Sequence, residues 1–207
     1  MTGLPKGYRI EKITQKNKEI ISAVTEIHVK TFKGFFLTFM GKGFLRKMYL
    51  SYVLYKDSGI LFAYNGDNPV GFLAYSSDMS GLYKYMLKHG FISFVYYAFL
   101  AFIRRPKAFF KLFGALNKSE ESEREEKYLR ISSIGVLPTE KGKGLGSALI
   151  NALKGSDDFK GCEYISLETD ADNNDKVNAF YCNNGFTLFR SFTTRENRKM
   201  NEYRLYK

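Results

Sequence analysis

Residues 131–155 read ISSIGVLPTEKGKGLGSALINALKG, and this stretch decides the fold of the 207-residue chain. An apolar segment typical of a strand ends at Val136, Pro138 makes a turn, and a lysine- and glycine-rich loop runs to Gly146. The apolar positions that follow have the spacing of an amphipathic helix ended by Gly155: Leu145, Ala148, Leu149, Ala152 and Leu153. Glycines let backbone N–H groups approach an anion, and a helix N-terminus is its positive end. The segment therefore predicts a phosphate site.

The loop fits neither of two common nucleotide-binding patterns. No Gly-Lys pair in it is followed by Ser or Thr, which excludes a P-loop. With Gly144 and Gly146 as the first glycines of a dinucleotide fingerprint, Leu149 stands where Gly or Ala is needed. An ordinary surface turn is the plainer alternative to a phosphate site.

The rest of the chain alternates between the periods of strands and helices, which indicates one mixed α/β domain over residues 1–207. Strands are predicted over Tyr8–Ile13, Gly59–Tyr64, Val70–Tyr75, Leu129–Val136, Tyr164–Thr169, Phe186–Phe192 and Glu202–Tyr206. Helices are predicted over Asn17–Phe32, Phe35–Tyr55 with an interruption at Gly41–Gly43, Leu82–Ile103, Leu145–Leu153 and about Asp175–Asn183. Residues 65–69 (Asn-Gly-Asp-Asn-Pro) predict a hairpin turn.

Residues 76–127 form an insertion between two predicted strands. Pro106 breaks its long helix, and Ala108–Leu116 is predicted to make another turn or two. The longest nearly apolar run, Phe91–Ile103, has 13 residues, whereas a membrane-spanning helix needs about 20. Aromatic residues lie on almost every side of this run, so we expect it to be buried, in the core or in a homodimer. A wall of an acceptor pocket and a peripheral membrane contact are the alternatives.

Composition limits the class of partner and the compartment. Cys162 and Cys182 are too few for a disulfide framework, and no neighbouring His or Cys pair indicates zinc. We therefore expect a cytoplasmic protein without a metal. The net charge of +11 favours phosphorylated ligands, nucleic acid or anionic lipid. Because basic residues and aromatics are interleaved only within the insertion, we expect no nucleic acid partner.

Two segments stand out by their spacing: residues 136–146, VLPTEKGKGLG, and residues 174–186, NDKVNAFYCNNGF. Together they resemble two motifs of the GNAT superfamily of acyl-CoA-dependent N-acyltransferases. Residues 136–138 (Val-Leu-Pro) and 141–146 (Lys-Gly-Lys-Gly-Leu-Gly) are similar to its Val-x-Pro and Arg/Gln-x-x-Gly-x-Gly/Ala motifs. Lys141 keeps the positive charge of the usual Arg but loses its bidentate grip. Residues 174–186 are similar to the family's Asn-x-x-Ala-x-x-x-Tyr-x-x-x-Gly-Phe, with Val177 in place of Ala. The resemblance covers residues 128 to about 192, and the N-terminal half matches in element order.

The resemblance implies a mixed α/β fold: a central, mostly antiparallel sheet with splayed strands, flanked by helices, with the helical insertion before the cofactor-binding strand. It also implies acetyl-CoA as the cosubstrate, with its pantetheine arm along the strand that ends at Val136 and its pyrophosphate on the glycine loop. The residues implied at this site are Ile134, Gly135, Val136, Lys141, Gly142, Lys143, Gly144, Leu145, Gly146, Ser147, Asn174 and Tyr181.

The resemblance further implies direct attack of a neutral amine on the thioester, without a covalent enzyme intermediate. An N–H near Ile134 would hold the developing oxyanion, and Tyr181 would protonate the leaving thiolate. The candidates for a general base are His28, on the helix beside the acceptor site, and Glu168, which follows the strand beside the cofactor cleft. A core histidine, an exposed or ion-paired glutamate and a core tyrosine are the plainer interpretations of these three residues.

We therefore expect an N-acetyltransferase that acts on the primary amine of a small molecule. An amino sugar is the first guess, because the basic surface favours a phosphorylated acceptor. The N-terminal amine of a protein or peptide is the alternative acceptor. A noncatalytic acyl-CoA-binding or nucleic-acid-binding module is the alternative outside the enzyme class.

Overall fold

The computed structural model describes residues 4–104, 106, 126–194 and 197–207. These residues form seven strands and seven α-helices. The strands are β1 (Tyr8–Lys12), β2 (Ser58–Asn65), β3 (Asn68–Ser76), β4 (Tyr128–Val136), β5 (Tyr164–Asp170), β6 (Thr187–Thr193) and β7 (Lys199–Tyr206). The helices are α1 (Lys18–Thr31), α2 (Phe36–Met40), α3 (Lys42–Leu54), α4 (Met79–Arg104), α5 (Leu145–Lys154), α6 (Asp157–Lys160) and α7 (Asp175–Asn183).

The strands form one sheet in the order β1-β2-β3-β4-β5-β7-β6. Only the central β4–β5 pair is parallel, and every other neighbouring pair among the described strands is antiparallel. Helices pack on both faces. The predicted fold class, a mixed α/β protein with a mostly antiparallel sheet between helices, is therefore confirmed.

Alternation along the strands divides the core between the two faces of the sheet, because successive side chains of a strand point to opposite sides. On β2, Leu61 belongs to a cluster with Leu149 of α5, whereas Phe62 belongs to a second cluster with Val24 of α1 and Tyr49 of α3. Helices α5 and α7 thus cover one face, which we call the cofactor face. Helices α1, α3 and α4 cover the other, which we call the helical-layer face.

Local signals place the helix ends close to their predicted positions. The Asn17 side chain accepts a hydrogen bond from the Glu19 N–H at 2.7 Å and caps α1. Gly41, with φ 92°, separates α2 from α3 where a glycine interruption is predicted. The hairpin between β2 and β3 is confirmed, with Asn65 paired to Asn68. The short helix α6 and a 3-10 turn at Pro138–Glu140 are not predicted from the sequence.

The expected burial of the insertion's aromatic run in the core of the chain is wrong for most of its residues, and burial in a homodimer stays a prediction. Helix α4 is longer than predicted, at 26 residues, and Phe91, Ile92 and Phe99 are 57–84% exposed. By length and composition alone α4 is apolar enough to cross a membrane, and little of it is buried. The predicted helical segment Ala108–Leu116 lies outside the described residues.

Candidate functional site

A fork opens between the two parallel strands at the centre of the sheet. β4 and β5 pair through three residue pairs, from Tyr128 with Tyr164 to Arg130 with Ser166. Beyond these three pairs, β4 remains paired with β3 as far as Val136, and β5 remains paired with β7. Among the described strands, residues 131–136 therefore have no partner on their β5-facing edge. We call the gap between residues 131–136 and 167–170 the strand fork.

The β4 side of the fork is shaped by a bulge and a close packing contact. The register shifts so that Ser132 has no opposing residue, and a bulge of this kind twists and bends its strand. Gly135 leaves room for two aromatic rings, because a Cβ there would lie 3.1 Å from Phe72 and 3.2 Å from Phe32. The Thr31 hydroxyl also donates to the Val136 carbonyl at 3.3 Å. The helical layer thus fixes residues 134–136 from behind.

The glycine loop delivers an open helix N-terminus to the end of β4. Gly142 and Gly144 have left-handed φ values of 81° and 76°, which favour glycine, and a Cβ on either would meet open space. Gly144 caps α5 without a side-chain hydrogen bond, so the first N–H groups of the helix are not satisfied by a capping side chain. Lys141 is exposed and has no hydrogen-bond or ion-pair partner among the described residues. The open N–H groups at the start of α5 and the Lys141 ammonium are donors of the kind that bind a pyrophosphate.

Lys143, the second lysine of the loop, is already engaged with the protein. Its Nζ lies 2.9 Å from both Glu140 Oε2 and the Tyr8 hydroxyl, and Tyr8 donates to Glu140 at 2.5 Å. The hydrogen bonds that Lys143 makes with Tyr8 and Glu140 raise the pKa of Lys143. Glu140 in turn accepts hydrogen bonds from Tyr8 and Lys143, and these lower the pKa of Glu140. Lys143 therefore braces the loop against β1, in addition to the cofactor contact that the sequence predicts for it.

Helix α7 closes against the start of α5. A Cβ on Gly146 would lie only 2.9 Å from the Phe180 ring, so the two helices approach closely there because residue 146 is a glycine. Tyr181, next on α7, is 7% exposed, and its ring packs against Phe186 and Tyr203. Leu145 of α5 belongs to the same cluster, and Ile134 and Val136 pack against that cluster.

Tyr181 keeps its proton over the whole working range of pH. Burial raises the pKa of its hydroxyl to about 12, because the phenolate would lose its hydration. The hydroxyl has no hydrogen-bond partner among the residues the structure describes. The group is thus available as a donor to a ligand, and its proton transfer to a thiolate must accompany thiolate departure.

Asn174 links the start of α7 to the end of β5 by hydrogen bonds. Its Nδ2 donates to the Thr169 hydroxyl at 2.8 Å and to the Asp170 carbonyl at 3.0 Å. The amide hydrogens are therefore used within the protein, and the side-chain oxygen is the group that can accept a hydrogen bond from a ligand.

Glu168 lies at the fork but on the other side of the sheet from Tyr181. It follows Leu167, which is in the Tyr181 cluster, so alternation points Glu168 to the helical-layer face. Its Oε2 accepts from Arg130 Nη2 at 2.7 Å, and the two side chains are 12% and 13% exposed. Across the sheet Glu168 pairs in register with Glu202, which is buried and bound by Arg190 and Arg204.

The sequence did not reveal this charged network. Glu202 and Arg204 lie 34 and 36 residues after Glu168, and only the register of β5 with β7 brings them beside it. Alternation of charged and apolar residues along β7 is the one sequence signal that could have indicated a polar face.

His28 lies in the helical layer, enclosed by aromatic rings. It is 2% exposed, and its Nδ1 lies 2.6 Å from the Tyr49 hydroxyl, which also bonds to the Ser133 side chain. Burial lowers the pKa of the imidazole to about 4, so it is neutral at physiological pH. Its Nε2 is buried without a partner among the described residues. This is the environment of a core histidine and of a weak base.

The predicted site residues thus fall into two groups. The end of β4, the glycine loop and the face of α7 that bears Tyr181 meet on the cofactor face of the sheet, and Glu168 and His28 lie on the helical-layer face. In the described part of the chain no group of three His, Cys, Asp or Glu side chains is placed to hold a metal ion.

Comparisons with known proteins agree with this geometry. The model of the acetyltransferase (GNAT) family matches residues 22–186, most of the chain. No curated protein has a sequence that matches the chain.

Solved structures share the fold at low sequence identity. A GNAT-family protein from Desulfovibrio desulfuricans has a TM-score of 0.61 and 14% identity, covering 96% of this chain and 98% of that one. The ribosomal-protein-S18-alanine N-acetyltransferase of Escherichia coli has a TM-score of 0.57 and 13% identity, covering 96% and 93%. NAA60 of Arabidopsis thaliana, in complex with acetyl-CoA, has a TM-score of 0.56 and 16% identity, covering 96% and 98%. With the family model spanning both the strand fork and the glycine loop, the chain belongs to the GNAT family and is an acyl-CoA-dependent N-acetyltransferase.

Proposed function

We propose that this enzyme transfers an acetyl group from acetyl-CoA to the primary amine of a small molecule by direct attack. The proposal rests on one observation: the strand fork opens beside an uncapped helix N-terminus, with the buried Tyr181 on the same face of the sheet. A free strand edge, an anion site and a proton donor are the three groups that an acyl transfer from a pantetheine thioester requires.

We propose that acetyl-CoA is held by the residues predicted to bind it. The backbone groups of Ile134 and Val136 point to the open, β5-facing edge of β4, where we propose that they pair with the pantetheine amides as an added strand would; Gly135, between them, directs its own backbone groups towards β3. The amides of residues 142–147 and the Lys141 ammonium would hold the pyrophosphate, and the Asn174 side-chain oxygen would accept from the arm. The bound cosubstrate supplies an activated acetyl thioester.

Two groups on the cofactor face assist the transfer. A backbone N–H near Ile134 would stabilise negative charge on the carbonyl oxygen, because it is held in place by the bulged strand and needs no reorganisation. The Tyr181 hydroxyl would give its proton to the departing sulfur. Its pKa of about 12 means that this transfer is coupled to departure and not complete before it.

Glu168 is the better candidate of the two predicted bases. Arg130 holds its carboxylate in place beside the strand fork. We propose that the amine enters through the fork and that the carboxylate accepts its proton as the N–C bond forms. His28 is neutral but weakly basic, and its Nδ1 is occupied by Tyr49. We assign Glu168 to proton acceptance and His28 to positioning β4 through Tyr49 and Ser133.

The acceptor is proposed to be a small amine, with a phosphorylated amino sugar as the first class to test. The support is electrostatic, since a net charge of +11 raises the local concentration of anionic substrates. The N-terminal amine of a protein is the competing acceptor, and the fold alone does not separate the two.

The test is a panel of amino sugars, sugar phosphates, polyamines and N-terminal peptides, assayed for CoA thiol release. The expected result is turnover of an anionic small amine, with a rate that falls about 100-fold in Tyr181→Phe. Turnover of peptides alone would refute the small acceptor, and binding of acetyl-CoA without release in any arm would refute catalysis.

A further inference from the structure

Helix α4 presents an apolar surface that no described residue covers. Six of its side chains, which together form what we call the outer face, are each between 50% and 84% exposed: Phe91, Ile92, Val95, Tyr96, Phe99 and Ile103. By contrast Met79, Leu82, Met86 and Ala101 on the inner side are at most 7% exposed. A large contiguous apolar patch on a soluble protein marks an interaction surface.

Positive charge flanks this apolar surface. Lys84 and Lys88 are exposed and precede Ile92 at intervals of four residues, so they lie along the same side of α4. Arg104, at the other end of the helix, is exposed but directs its guanidinium towards Gly41 on the inner side. Between Gly81 and Lys118 the sequence holds seven basic residues and no acidic one. The surface therefore combines apolar side chains with the sign of charge that attracts anionic lipid.

We propose that α4 lies in the interfacial plane of an anionic phospholipid bilayer. The outer face enters the boundary between headgroups and acyl chains, while Lys84 and Lys88 contact lipid phosphates. Burial of the six apolar side chains and electrostatic attraction together supply the binding free energy. This placement is independent of the acceptor proposed above.

An interfacial position fits the contacts of α4 better than a membrane-spanning one. Phe94 packs edge-to-face on Phe44 of α3, with ring centroids 5.0 Å apart, and the Tyr97 ring occupies the space above Gly43. Leu82 and Met86 belong to the core of the helical layer. A spanning helix would have to leave these contacts, whereas an interfacial one keeps them and uses only its exposed side.

A second copy of the chain fits the surface less well than a lipid does. A two-fold dimer through the outer face would bring the same surface of each copy together. Lys84 and Lys88 would then face like charges, which disfavours the pairing.

The experiment is co-sedimentation of the full chain with vesicles of phosphatidylcholine alone or mixed with phosphatidylserine. Wild type is expected to pellet with the anionic vesicles and to be released as salt rises. Ile92→Glu should abolish pelleting. Leu188→Glu on β6, which introduces the same charge at another exposed apolar site, should pellet like wild type.

A charge-only variant separates the electrostatic part. Lys84→Gln with Lys88→Gln should weaken vesicle binding roughly tenfold or more, at about 1 kcal/mol per basic residue. The matched control is Lys154→Gln with Lys176→Gln, two exposed lysines on the helices of the cofactor face, which should bind as wild type does.

Four results would overturn the proposal. The first is that wild type does not pellet with the vesicles, and the second is that Ile92→Glu pellets as wild type does. The third is a dimer that forms without vesicles and that Ile92→Glu dissociates. The fourth is membrane attachment that only detergent reverses. The third would assign the face to a second copy, and the fourth would make α4 a spanning helix. A lower melting temperature for Ile92→Glu than for Leu188→Glu, without vesicle binding, would assign the face to another part of this chain.

Discussion

Arg130 of β4 donates to Glu168 of β5 at 2.7 Å, beside the last paired residues of the two strands. The ion pair bridges the base of the strand fork on the face opposite Tyr181. Both side chains are mostly buried, so the ion pair fixes the position of the Glu168 carboxylate where the two strands separate.

Glu168→Gln should lower kcat/KM about 100-fold, because the amide keeps the size of the side chain but cannot accept the proton of the attacking amine. The measurement is a steady-state pH profile, in which an acidic limb present in wild type should disappear. Glu11→Gln is the control, since Glu11 is also paired with an arginine, at 2.7 Å from Arg9, but lies on the exposed edge strand. Equal activities of the Glu168 variant and this control would exclude the base role.

Tyr181→Phe should reduce kcat about 100-fold and leave the KM for acetyl-CoA nearly unchanged, because the hydroxyl acts only as the thiolate leaves. Stability should not fall, since the hydroxyl has no described partner and costs free energy to bury.

Tyr203→Phe is the matched control for Tyr181→Phe. The Tyr203 hydroxyl donates to Asn178 Oδ1 at 3.1 Å, so its loss should cost about 1 kcal/mol of stability without affecting the chemical step. A Tyr181 variant with wild-type kcat on a good acceptor would rule out the acid role.

His28 makes the stability of the fold depend on pH. Burial lowers its pKa from 6.5 to about 4, so between these values the unfolded chain binds a proton that the folded chain does not. Its contribution is complete above pH 6.5 and is lost as the pH falls towards 4, by about 3 kcal/mol over the whole window. Urea unfolding of wild type at several pH values measures this loss.

His28→Gln should flatten the stability profile between pH 6.5 and 4 relative to wild type. His89→Gln serves as the control, because His89 is exposed on α4 and its replacement should leave the profile unchanged. Parallel profiles for wild type and the His28 variant would show that His28 is not buried in its neutral form.

Gly144→Ala should destabilise the fold by about 1–2 kcal/mol, because a Cβ is strained at a left-handed φ of 76° even though the space around it is open. It should also weaken CoA binding, since Gly144 sets the direction of the first amides of α5. Thermal unfolding and calorimetric titration with CoA are the measurements.

Gly161→Ala is the control for the loop, because Gly161 has a right-handed φ of −87° and open space around its Cα. It should be neutral in both measurements. CoA affinity that is unaffected by Gly144→Ala would argue against the loop as the pyrophosphate site.

Local patterns in the sequence predict most of the elements but not their relations across the sheet. The glycine loop and α5 are predicted because their signals, glycine spacing and an apolar period, lie within 25 residues. The placement of the Arg130–Glu168 ion pair beside Glu202 involves three strands and depends on register, which no local pattern specifies. The exposure of Phe91 and Ile92 was also not predicted. The sequence pattern of an apolar helix is the same whether the helix lies in a core or on an exposed surface.

The sequence by itself indicated the family through two spaced motifs. It also determined most of the strands and helices and the glycine loop, since each of these depends on backbone preferences of neighbouring residues. The tertiary structure alone decided that β4 and β5 part after three residue pairs, and that Tyr181 and Glu168 lie on opposite faces of the sheet. It also placed His28 among aromatic rings that suppress its charge. These outcomes depend on packing between residues far apart in the chain, where burial and not residue type sets the chemistry.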